Sequence, residues 1–261
     1  MGQLDGKVVI VSGVGPGLGA QVATRAAAAG AAVVLGARRE EQLREIAGRI
    51  EAEGGRVAWA PCDVTSDADC AALAATAVER FGGIDCLVNN AFASGPHDVP
   101  IEDSDFDAWQ VAFDVNLFGS LRMSRALLPA MRQRGGGSIV FVGSQIVRRV
   151  FAGRGPYASS KGALLIAAKV LAKEVGPSNI RVNTVVPGRM AGPSLYRSYE
   201  RRAVANGTSL EHEMQVGLAT MALPTFPTDG DCAGAVLFLA SDWSAAMTGQ
   251  SFDVNGGETF H

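Results

Sequence analysis

Short apolar runs alternate along this chain with longer stretches whose apolar residues recur at helical spacing. Lys7-Val8-Val9-Ile10-Val11 is a β-branched run that reads as a buried strand. Comparable runs predict strands near 7–12, 32–36, 56–60, 84–89, 138–143, 180–186 and 250–254. Helix-forming segments lie between them, the longest near 105–133 and 156–175. This alternation predicts an α/β fold: a parallel, doubly wound sheet of about seven strands, with right-handed crossovers and helices on both faces. Ligands of such sheets bind outside the carboxyl ends of the strands, where strand order reverses.

Chemistry-bearing residues fall at those predicted strand ends. The first strand runs into Ser12-Gly13-Val14-Gly15-Pro16-Gly17-Leu18-Gly19 and then into the helix-forming Ala20 to Ala26. A strand, a glycine-rich turn and a helix start make an anion site, because free N–H groups and the helix dipole point at a phosphate. The common G-x-G-x-x-G spacing fails, since Leu18 stands where its last glycine would be, whereas Gly13-x-x-x-Gly17-x-Gly19 fits. A plain tight loop is the alternative. Farther on, Pro156-Tyr157-Ala158-Ser159-Ser160-Lys161 puts a phenol and an ammonium four residues apart on one helix face. A neighbouring cation favours the ionised phenol and lowers its pKa from about 10. So tuned, Tyr157 is a proton donor or acceptor near neutral pH. Amphipathic helices also carry this spacing by chance, so the pair gains its weight from the rest of the chain.

Together these residues resemble the short-chain dehydrogenase/reductase family, in its single-domain branch of about 250 residues, over nearly the whole chain and in the expected order. The Thr-Gly-x-x-x-Gly-x-Gly motif is matched by Ser12 to Gly19, with serine for threonine. Asn-Asn-Ala-Gly is matched by Asn89-Asn90-Ala91 and broken by Phe92. The resemblance implies a Rossmann-type sheet and a catalytic set of Asn116, Ser144, Tyr157 and Lys161. In that scheme Tyr157 exchanges a proton with the substrate oxygen and Ser144 hydrogen-bonds the same oxygen. Lys161 lowers the Tyr157 pKa and holds the nicotinamide ribose, and Asn116 anchors a water that leads protons to solvent. The alternatives are a loop-capping Ser144 and an Asn116 that is simply a buried polar group in a helix. Cofactor contacts implied are Gly13, Gly17, Leu18, Gly19, Asp63, Val64, Asn90, Ala91, Pro187 and Gly188, besides Tyr157 and Lys161. Asp63 matches an adenine-contacting aspartate, with helix capping as its alternative, since Thr65, Ser66 and Asp67 also look like capping residues.

Cofactor choice follows from the end of the second strand, Leu35-Gly36-Ala37-Arg38-Arg39. An acidic residue there binds the ribose hydroxyls and repels a 2′-phosphate. Neutral Ala37 followed by two arginines argues for NADP(H) over NAD(H), with Arg38 the foremost contact, because an arginine fork matches phosphate geometry. Both arginines could instead solvate a helix start.

Composition narrows the class. The 261 residues, 48% apolar, suit one catalytic and cofactor-binding domain over 1–261, with no linker or repeat to split it. No apolar stretch approaches a membrane span, and the amino terminus lacks the features of a secretory signal. A net charge of −3 gives no sign of a nucleic-acid-binding surface. Cys62, Cys70, Cys86 and Cys232 lack metal or redox spacing and read as reduced thiols of a cytoplasmic protein. His97, His212 and His261 receive no role. Asn206-Gly207-Thr208 reads as a polar loop.

Two departures bear on nicotinamide placement: Phe92, and Gly192 where relatives place a threonine, with Ser194 a candidate substitute. Residues 189–228 correspond to the family's variable substrate loop. Its Met190, Leu195, Tyr196, Tyr199, Met214, Leu218, Met221, Leu223 and Phe226 either pack the loop down or line a roomy apolar pocket. The expected activity is ketone–alcohol interconversion on a bulky hydrophobic small molecule. A β-ketoacyl-thioester reductase and a non-catalytic NADP(H)-binding regulator are the alternatives. The resemblance also implies a homotetramer built on the two long helices.

Overall fold

The computed structural model describes residues 2–96 and 98–260, so Met1, His97 and His261 lie outside it. Seven parallel strands form one sheet in the order β3-β2-β1-β4-β5-β6-β7. They are β1 (Val8–Ser12), β2 (Ala32–Ala37), β3 (Arg56–Pro61), β4 (Cys86–Asn89), β5 (Gly137–Val142), β6 (Ile180–Pro187) and β7 (Ser251–Val254). Strand order reverses between β1 and β4, whose register pairs Ser12 with Asn89. The expected topology is therefore present, and the reversal point lies between the glycine turn and Asn90.

Side-chain alternation along the strands divides the interior in two. Val9, Val11, Val33, Leu35, Val88 and Val140 face α1 (Leu18–Ala28), α2 (Glu40–Ala52) and α9 (Asp229–Ala240). Val8, Ile10, Val34, Leu87, Ile139 and Phe141 face α3 (Asp67–Phe81), α5 (Ser120–Arg134) and α6 (Gly155–Val175). A strand buried on both faces has no polar side, which is why these runs are continuously apolar rather than alternating.

The helix expected near 105–133 is not continuous. α4 (Phe106–Phe113) gives way to a π-helical turn over Asp114–Gly119 before α5 resumes. Such insertions break the regular i→i−4 ladder and gather at functional sites. Asn116 sits inside this one. The segment at 189–228 folds into α7 (Pro193–Asn206) and α8 (Leu210–Leu218). Within it Tyr199 and Phe226 are buried with ring centroids 5.8 Å apart, and Met190 packs on the core. These three hold the loop down, while Tyr196 and Leu223 stay exposed.

Candidate active site

The glycine turn is built around close backbone approach. Gly13 adopts φ 90°, and a Cβ there would lie 2.2 Å from the Ala91 nitrogen. At Gly19 a Cβ would lie 2.7 Å from the Gly13 carbonyl. Asn90 Nδ2 donates to that same carbonyl at 2.6 Å, so the end of β4 locks the turn after β1. Gly17 is the N-cap of α1 and Leu18 its first, buried residue. No side chain caps this helix, which leaves its first N–H groups free to meet an anion.

Beside the turn opens a cleft of about 820 Å³ lined by Gly13, Ala37, Arg38, Asp63, Asn90 and Phe92, among others. Ala91, Arg39 and Val64 also border it, as do Val14, Gly15 and Cys62, which the motifs had not singled out. Arg38 has no hydrogen bond or ion pair among the described residues, whereas Arg39 donates to Gln42 Oε1 at 2.7 Å. Asp63 Oδ1 accepts from the Thr65 amide at 2.9 Å and the Thr65 hydroxyl at 2.8 Å. Those two bonds, with help from the nearby Arg38 charge, hold the Asp63 carboxyl below its ordinary pKa. The turn-forming role of Asp63 is thus real, and its other oxygen remains open to a ligand. Ser66, not Asp63, caps α3. The glycine cradle and the free helix start fit a dinucleotide, and the unpaired Arg38 borders the same cleft.

The catalytic candidates converge at the adjoining strand ends. Ser144 follows β5 and caps a short turn through the Ile146 amide. α6 begins at Gly155, so Tyr157 and Lys161 fall on its first turns. Lys161 Nζ is buried and donates to the Val142 carbonyl at 2.7 Å. Burial brings its pKa down to about 8. The Tyr157 phenol departs from expectation. Burial pushes its pKa up, and the groups that pull it back are the Ser144 hydroxyl and the Arg154 guanidinium rather than Lys161. Lys161 Nζ stands 5.9 Å from the ring centroid and is turned to a carbonyl. Helical spacing brought the two residues to one face, but it could not supply the direction of the ammonium.

Asn116 is fully buried, and its side-chain amide is wholly engaged. Its Oδ1 accepts from Ala93 N at 2.7 Å, and its Nδ2 donates to Ala93 O and to Ser160 Oγ, both at 2.9 Å. The site loop at 91–93 is therefore tied through the π-turn to α6. Asn116 O accepts from Ser120 Oγ at 3.0 Å. Ser160, lying inside the Tyr157–Lys161 stretch, is a supporting residue that the motif passed over.

Pro187 ends β6, and Gly188 donates to the Val254 carbonyl at 2.9 Å. A Cβ on Gly188 would lie 2.7 Å from the Asn255 backbone, so only glycine fits between β6 and the carboxyl-terminal segment. That segment supplies Glu258, whose side chain is completely buried. Glu258 receives Gln145 Nε2 at 2.7 Å, Arg149 at 3.2 Å and the Arg189 guanidinium. Burial pushes its carboxyl up, and Arg189, Gln145 and Arg149 together overcome this, leaving it below the ordinary value. Arg189 also donates to Tyr199 Oη at 2.6 Å and Thr220 Oγ1 at 2.9 Å. One carboxylate thus joins the residue after Ser144, the loop after β6 and the region of α7 and α8. None of these residues belongs to a short motif, and the pairings span up to 113 positions. Phe92 is 63% exposed and forms an apolar wall of the cleft. Gly192 is the N-cap of α7, and Ser194 lies exposed in its first turn.

A family model described as Enoyl-(Acyl carrier protein) reductase matches residues 13–259. Dehydrogenase/reductase SDR family member 4 of Bos taurus is 34% identical over 258 residues, 99% of this chain and 89% of that protein. The solved actinorhodin polyketide ketoreductase with NADPH superposes with a TM-score of 0.90 at 30% identity, covering 99% of both chains. An NAD+-bound xylitol dehydrogenase also reaches 0.90, at 28% identity, covering 97% of this chain and 99% of the other.

Proposed function

Because the chain belongs to the short-chain dehydrogenase/reductase family, we propose that it interconverts a ketone and a secondary alcohol using NADP(H). Membership makes it an oxidoreductase that acts on small molecules at CH–OH or C=O by hydride transfer with a nicotinamide cofactor. The observation that carries the finer reading is the meeting of Ser144, Tyr157 and Lys161 beside the phosphate-fitting cleft.

Gly13, Gly17, Leu18 and Gly19 hold the pyrophosphate against the start of α1, with Asn90 and Ala91 supporting the turn. Arg38 receives the 2′-phosphate, Arg39 stays with Gln42, and Asp63 and Val64 flank the adenine. Pro187 and Gly188 border the nicotinamide. Bound NADPH supplies the hydride to the carbonyl carbon. Tyr157 gives its proton to the carbonyl oxygen as charge develops there, and Ser144 donates a hydrogen bond to the same oxygen. The raised Tyr157 pKa suits this direction, because the phenol is protonated at neutral pH and ready to donate. Lys161, with a pKa near 8, exchanges protons readily in the same range and returns one towards the phenolate. Asn116 holds the loop and α6 in register and offers its carbonyl to a relay water.

Tyr196 and Leu223, exposed on the 189–228 segment, support a bulky hydrophobic substrate. A β-ketoacyl-thioester is the second reading, favoured by the acyl-carrier-protein description of the family model; turnover of an acetoacetyl-thioester decides for it. Exposed Phe118, Ile166 and Val170 on the π-turn and α6 support assembly into a homotetramer. No helix of the described residues is long and apolar enough to cross a membrane, and a cytoplasmic location is part of the proposal. Tyr157→Phe is expected to abolish NADPH oxidation across a ketone panel while NADPH binding persists; retained turnover refutes the assignment.

A further inference from the structure

Most arginines around the site mouth are answered by carboxylates. Arg148 meets Asp253 at 3.3 Å, Arg149 meets Glu258 at 3.2 Å, Arg189 meets Glu258, and Arg202 meets Glu213 at 3.1 Å. Arg154 has no such partner. It is half-buried, immediately precedes α6, and lies with its guanidinium carbon 5.6 Å from the centroid of the Tyr157 ring. Among the described residues it makes no hydrogen bond and no ion pair. The charged neighbour that α7 brings to it is Arg201, another cation, itself exposed and unpaired. Burial disfavours the Arg154 charge, the neighbouring Tyr157 oxygen offsets part of this, and Arg201 adds repulsion.

A half-buried guanidinium without a counter-ion is costly to keep, and a second cation beside it makes it more so. A ligand carboxylate would relieve both strains at once, since an arginine fork donates two parallel hydrogen bonds to it. The ring that Arg154 covers is the one that handles the substrate oxygen, so this anion position lies within a small molecule's length of the reacting carbon.

We propose that the natural substrate is a bulky ketone, or the matching alcohol, that carries a carboxylate several bonds from the reacting carbon, received by Arg154 and Arg201. The proposal rests on Tyr157 being the proton donor. It adds charge to a substrate class otherwise defined by apolar bulk.

The test uses 4-benzoylbutyrate and its methyl ester, an aryl ketone with and without the charge, titrated calorimetrically into protein saturated with NADP+, which cannot reduce them. We expect the acid to bind at least tenfold more tightly than the ester, which corresponds to about one charge-assisted contact. Arg154→Gln and, separately, Arg201→Gln should each weaken the acid severalfold and shift the ester less than twofold. Should Arg154→Gln misfold at the start of α6, the exposed Arg201→Gln still reads the effect. Equal binding of acid and ester, no saturable binding of the acid, or variants that bind it like the wild type would each overturn the proposal. Turnover with NADPH separates this from the reaction itself. Ester reduced with no preference for the acid sinks the anion site and leaves the reductase standing. Acid bound through Arg154, with neither compound reduced, does the reverse.

Discussion

Replacing Lys161 with methionine tests whether a buried ammonium is held ready to release its proton. Lys161 is 3% exposed, and burial lowers its pKa from 10.5 to about 8. That difference corresponds to roughly 3 kcal/mol against the charged form in the folded protein. Below pH 8 both folded and unfolded states carry the proton, so the full penalty is present and does not change with pH. Between about pH 8 and 10.5 the unfolded chain binds a proton that the folded protein lacks, so stability rises with pH. Lys161→Met removes this dependence. At pH 7 the penalty it relieves is offset by loss of the charged hydrogen bond to Val142 O, worth about 1.5–3 kcal/mol, so the two proteins should be of similar stability. By pH 9.5 the wild type should have gained about 2 kcal/mol on the variant, since most of the titration is then complete. Urea unfolding of the cofactor-free proteins, at one protein concentration and at half-unit pH steps, reads this directly. A stability difference that stays flat from pH 7 to 9.5 would show that Lys161 keeps an ordinary pKa, and the proton-return role would go with it.

Three further outcomes are expected. Arg38→Gln should raise the Kd for NADPH by about tenfold or more, the scale of one phosphate fork, and change NADH binding little; equal effects on both would remove the 2′-phosphate assignment. Asn116→Ala leaves the Ala93 amide and carbonyl without a partner and removes the donor to Ser160 Oγ, which keeps only its bond to Tyr157 O, and should destabilise the protein by about 2–3 kcal/mol; an unchanged thermal midpoint would mean that the π-turn does not depend on those bonds. Glu258→Gln weakens the hold on Arg189, Arg149 and Gln145. It should speed protease cleavage within 189–228 and raise KM more than it lowers kcat, whereas wild-type cleavage rates would discount the carboxylate as the loop's anchor.

The sequence by itself determined the sheet and nominated the candidate site residues. Continuous apolar runs are legible because a strand buried on both faces admits no polar positions, and Gly13 and Gly19 stand out because backbone approaches where a Cβ would collide. Tyr157 and Lys161 share a helix face by spacing alone. Tertiary structure decided what each group can do. The Lys161 ammonium turns to Val142 O, and burial raises the Tyr157 pKa where a neighbouring cation had been expected to lower it. The π-turn at Asn116 was not legible, since short apolar stripes on either side of it mark each helix but not the one-residue offset between them. Glu258, Arg189 and Gln145, and likewise Arg154 and Arg201, come together only when distant segments are folded onto one rim. Spacing along a chain encodes which residues share a local face. Desolvation and pairing depend on everything packed around them, and those set the charge at which this site works.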